Sequence, residues 1–139
     1  MKTIMKVPHP AGIAINNRPL LDAFIELCLR IDNMGTLRDE FKGIDQIEIT
    51  GEESQNSEPE WGQALGIRCH LKIPGVEPAI GNAFLSVGTF LFVTKGRARA
   101  SHACGPTIEG QIKDVLDPLA ASLAMSCLEL AQRFAPTAT

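Results

Sequence analysis

The stretch that decides the fold is Asn82 to Cys104, N-A-F-L-S-V-G-T-F-L-F-V-T-K-G-R-A-R-A-S-H-A-C. Phe84 to Thr94 is rich in β-branched and aromatic residues, which suit a pleated surface buried on one side. Lys95-Gly96 supplies the positive φ that a two-residue hairpin turn requires. A turn there sets Thr94 opposite Arg97, Phe92 opposite Arg99, Phe90 opposite Ser101 and Thr89 opposite His102. Side chains alternate between faces along a strand. Val87, Thr89, Leu91, Val93, Ala98, Ala100, His102 and Cys104 therefore share one face, and Phe90, Phe92, Arg97, Arg99 and Ser101 share the other. The first set is a core face. The second joins two phenylalanines to two arginines, more than a solvated face needs.

A second strand supports this ribbon. Ala64 to Ile73 alternates strictly, with Leu65, Ile67, Cys69, Leu71 and Ile73 on the core side and Gly66, Arg68, His70 and Lys72 on the other. Pro74-Gly75 ends it. Before it, Ile44 to Thr50 reads as a strand with Ile47 and Ile49 inward. Gly51 to Gly62, G-E-E-S-Q-N-S-E-P-E-W-G, is polar and acidic and predicts a mobile hairpin loop.

Helices flank the strands. Leu20, Leu21, Phe24, Cys28 and Ile31 recur at helical spacing after Asn17, Arg18 and Pro19, and that helix is expected to stop at Asn33-Met34-Gly35. Thr36 and Asp39 resemble a capping pair for a short second helix to about Phe41. The closing helix is expected from near Gly110, with a kink or fresh start at Asp117-Pro118 and an apolar seam of Leu119, Leu123, Cys127, Leu130 and Phe134. Residues 1–16 read as a short edge strand or extended arm, and 135–139 as a tail. The expectation is a single α+β domain over residues 1–139: a four-stranded antiparallel meander with the N-terminal and C-terminal helices on one face.

A chain of 139 residues is long enough to bury a core of its own. No apolar run approaches the roughly 18 residues of a membrane span, and no signal-like stretch opens the sequence, so a cytoplasmic protein without membrane partners is expected. The net charge of −3 argues against general nucleic-acid binding, which depends on many cations neutralising phosphates. The charge is unevenly placed, however. Asp45 to Trp61 carries six acids and no base, whereas Gly62 to Cys104 carries five bases and one acid, Glu77. The middle of the chain has two electrical sides.

The chemistry worth weighing lies on the outward face. Arginine offers a planar fork for phosphate or carboxylate, and a ring beside it can stack a flat ligand. Arg68, His70, Lys72, Phe90, Phe92, Arg97 and Arg99 thus form a candidate site for an anionic small molecule such as a nucleotide or carboxylate. The same face also suits contact with a second copy of the chain or with an acidic protein surface. The leading expectation is a non-enzymatic binding protein that forms a homodimer. A regulator, inhibitor or adaptor using the face as an interface is the alternative.

The thiols give a further reading. Cys28, Cys69, Cys104 and Cys127 lie far apart with no C-x-x-C pair, so reduced, buried cysteines are expected and zinc is disfavoured by spacing. Cys104 with His102 two residues away raises a cysteine-dependent enzyme, but no third orienting residue is evident. Phosphate-loop, dinucleotide, zinc-protease, nucleophile-elbow and calcium-loop patterns are absent, so neither cofactor nor metal is expected.

Overall fold

The computed structural model describes residues 2–6, 17–73, 86–102 and 107–134. Its elements run β1 (Lys2–Lys6), α1 (Arg18–Leu37), a 3-10 turn (Asp39–Gly43), β2 (Gln46–Glu58), β3 (Gly62–Lys72), β4 (Ser86–Thr94), β5 (Arg97–His102), β6 (Ile108–Gln111) and α2 (Ile112–Phe134). The strands form one sheet in the order of the chain. Among the described strands, only the β1 to β2 pairing is parallel, and α1 lies in its crossover. Every later neighbour is antiparallel. Both helices lie on the same side, as an α+β fold requires when a sheet buries one face.

The hairpin of β4 and β5 has the register expected from its turn, Thr94 against Arg97 through Thr89 against His102. Lys95 and Gly96 both take positive φ, 50° and 76°, matching the right-handed twist of the flanking strands. On the helical side, Ile47, Ile49, Leu65, Ile67, Cys69, Leu71, Leu91, Val93, Ala98 and Ala100 are buried with Leu20, Phe24, Leu27 and Ile31 of α1 and Leu116, Leu119, Leu123 and Cys127 of α2. The small Ala98 and Ala100 lie where α2 crosses β5, so the helix can approach the strand closely.

Four expectations need correction. The sheet has six strands, because β1 joins its edge and a four-residue β6, too short to show a period, pairs with β5. The acidic stretch after Gly51 is mostly strand: β2 runs to Glu58, β3 resumes at Gly62, and only Pro59 to Trp61 turn the chain. Gly51 faces the core beneath Phe24, and Glu53 accepts the Asn17 N–H at 2.8 Å, so this segment has structural partners that composition does not reveal. Helix α1 continues past Gly35, which is buried, and the Thr36 hydroxyl donates to the Asp32 carbonyl at 2.9 Å instead of capping a new helix. It opens at Arg18, as the sequence predicts, with the Asn17 side chain accepting from Leu20 N–H at 3.2 Å.

Helix α2 likewise runs unbroken through Pro118. Asp117 does not open a fresh helix there; its carboxylate accepts from Arg30 of α1 at 2.6 Å. A proline inside a helix lacks a donor and crowds the carbonyl four residues back, at a cost of up to about 3 kcal/mol relative to alanine. Pro118→Ala is therefore expected to stabilise the protein by about 1–2 kcal/mol, once the greater freedom of the unfolded chain is subtracted. Urea unfolding measures it, and a lower midpoint would show that the ring's own contacts outweigh the missing hydrogen bond.

Among the described residues, no helix is long and apolar enough to cross a membrane. The described part of the fold thus comprises a helical layer on one sheet face and a second face turned away from it.

Candidate ligand-binding face

That second face is built from alternate residues of β2 to β6. The register places them in rows across the strands. Ala64, Phe92, Arg99 and Glu109 form one row; Glu52, Gly66, Phe90 and Ser101 the next; Thr50, Arg68 and Gly88 a third; Glu48, His70 and Ser86 a fourth. Lys72 lies beyond, opposite Gln46. All seven residues singled out from the sequence thus fall on the face away from the helices, but they do not form one patch.

At the end nearest the β4 to β5 turn, the chain covers its own side chains. Trp61 swings over from the β2 to β3 turn and packs on Phe92 and Ala64, leaving Phe92 only 5% exposed and Trp61 8%. Arg97 lies over the indole at 6.0 Å from its centroid and 4.0 Å from the Glu109 carboxylate. Arg99, opposite Phe92, donates to Glu58 at 2.5 Å. The sequence predicts an accessible Phe92; instead the indole makes it part of a small second core. Composition alone did not place Glu58 and Trp61 over these cations, although the acidic stretch beside a basic one was the available signal.

Further along the face the situation differs. Phe90 is 41% exposed, and Arg68, His70 and Lys72 are exposed in line on β3. Among the described residues, no ion pair engages those three side chains. Phe90 faces Gly66 across the strand pair, while Arg68 faces Gly88, so ring and guanidinium are diagonal neighbours, with backbones roughly 7–8 Å apart. A Cβ at Gly66 would lie 3.8 Å from the Phe90 ring, so that ring leans over bare backbone. Gly88 puts exposed bare backbone opposite Arg68 and between Ser86 and Phe90 on the same face. Residue type points to Arg68 and Phe90 but not to the two glycines facing them.

Comparison with protein-family models, curated proteins and solved structures returns no match. The face must be read from its own chemistry.

The cysteine reading finds a different geometry. Cys28, Cys69 and Cys127 come from α1, β3 and α2 into the buried core. Burial, with Cys69 nearby, pushes the Cys28 thiol up to about 12, and a hydrogen bond with Cys69 followed by burial raises Cys127 further. Such thiols are poor nucleophiles, since the thiolate is the reactive form. Cys104 lies outside the described residues; the backbone of His102 ends β5 opposite Thr89. Among the described residues, no group of three or more His, Cys, Asp or Glu side chains is placed to hold a metal ion.

Proposed function

We propose that the chain is a non-enzymatic, cytoplasmic binding protein that holds an anionic, ring-bearing ligand on its outer sheet face. The observation that carries this reading is the exposure of Phe90 diagonal to Arg68, with a glycine facing each. With the Phe90 ring leaning over Gly66, the bare backbone at Gly88 is where a flat group would lie beside that ring. Arg68 offers two parallel donors to a phosphate or carboxylate. His70 and Lys72 continue the line at intervals of roughly 6.6–7 Å, adding a ring N–H donor and an ammonium that can meet further oxygens of an extended anion. Arg97 and Arg99, occupied by Glu109 and Glu58, have a secondary part.

Thermal-shift titration with phenyl phosphate and benzoate, each a ring joined to an anion, tests the assignment, with inorganic phosphate as the ring-free control. Both ring-bearing probes are expected to raise the melting temperature more than phosphate does. Arg68→Ala should weaken binding by about tenfold or more, the usual worth of a hydrogen bond to a charged group. Phe90→Ala should remove the advantage of the ring while leaving the melting temperature of the free protein nearly unchanged, because the side chain is exposed. Equal responses of wild type and both variants would refute the site. The homodimer expected from sequence is a second role for the same exposed ring: a fall in molecular mass on Phe90→Glu, without any probe binding, would assign the face to self-association.

A further inference from the structure

The face carries the same chemical unit twice. Near its turn end, a phenylalanine (Phe92) and a guanidinium (Arg99) lie opposite each other and are filled by an indole and a carboxylate, Trp61 and Glu58. In the next two rows, Phe90 and Arg68 are diagonal and exposed. The filled unit therefore displays, within the same molecule, which groups satisfy this pairing of ring and cation.

From that correspondence we infer that the open Phe90 and Arg68 unit takes a peptide segment bearing a carboxylate and an aromatic side chain three residues apart, as Glu58 and Trp61 are. The inference rests on the binding role proposed above and narrows its ligand class. Three observations favour a peptide over a free small molecule. The resident occupants reach their places from one tight turn, closed by a Trp61 N–H to Glu58 carbonyl bond of 3.1 Å. Among the described residues, β2 and β3 lose register between Glu53 and Ser57, with Ser57–Gln63 and Glu58–Gly62 pairing beyond it and the Gln63 side chain donating to the Ser54 carbonyl at 3.1 Å. An acid and an indole presented by one short turn thus occupy the filled unit together. Charge also matches, because Arg68, His70 and Lys72 are without acidic partners among the described residues. A second and third carboxylate on the segment would meet His70 and Lys72.

The probe is a blocked synthetic peptide of residues 57–62, Ser-Glu-Pro-Glu-Trp-Gly. Titrated into isotope-labelled full-length protein, it should shift the amides of Arg68, Gly88 and Phe90 saturably. Replacing Glu58 by Gln and Trp61 by Ala in the peptide should weaken binding about tenfold or more, as should Arg68→Ala in the protein. Phenyl phosphate should compete with it. Absence of binding at millimolar peptide while phenyl phosphate still binds would overturn the peptide assignment and leave the binding role standing. Shifts confined to Phe92 and its neighbours would also overturn it, since the peptide would then be replacing the resident turn. If neither probe binds, both readings fall together.

Discussion

Phe24→Ala is expected to cost about 3–5 kcal/mol in urea unfolding, a large part of the stability of a domain this size. Phe24 is wholly buried on α1, and its ring occupies the space that a side chain at Gly51 of β2 would need. A Cβ built at Gly51 would lie 2.9 Å from the ring, closer than carbon atoms pack. Gly51 therefore permits the helix to sit directly on the sheet. Gly51→Ala alone should cost about 1–3 kcal/mol through overpacking. Combined with Phe24→Leu, which withdraws the far edge of the ring, the two losses should sum to more than the double variant shows, because the residues share one space. Additive losses would mean that α1 shifts as a body and that Gly51 does not set its position.

The largest kinetic effect is expected at the buried thiols. Cys28, raised to about 12 by burial and by Cys69, has a thiolate fraction at pH 8 that is smaller than a free cysteine's by roughly a thousandfold. Native alkylation of Cys28 and Cys127 should be slower than in urea by at least that factor, read by peptide mapping. The same shift sets a pH dependence. A thiol whose folded pKa lies above its unfolded one contributes stability that is fully present below the unfolded value of about 8.5, and it loses that contribution as pH rises towards 12. Between those limits, each such thiol should lower stability by about 1.4 kcal/mol per pH unit. Cys28→Ala should flatten the alkaline decline relative to wild type. An unchanged slope would show that Cys28 ionises as easily in the fold as outside it.

These two sites also show how far the sequence could be read. The alternation of Ala64 to Ile73 and the Lys95-Gly96 turn fix which side chains face the helices, and the register follows from counting back from that turn. Such information is local. Glycine followed by acids usually marks a loop, whereas the place of Gly51 is determined by Phe24, twenty-seven positions earlier. Glu53 bonds the start of α1, Glu58 meets Arg99, and Trp61 covers Phe92, so the polar composition of this segment reflects distant partners. Residue type and alternation gathered Arg68, His70, Lys72, Phe90, Phe92, Arg97 and Arg99 onto one face. They could not divide the face into a filled and an open part, because that division depends on how a turn between two other strands folds across it.

Isotope-resolved titration of the full-length protein with phenyl phosphate reports most directly on whether the exposed ring and guanidinium act together. Saturable shifts at Gly66, Arg68, Gly88 and Phe90, lost in Arg68→Ala, are predicted. Shifts that map instead to α1 and α2, or an outer face that does not respond at any concentration while the fold is intact, would contradict the account.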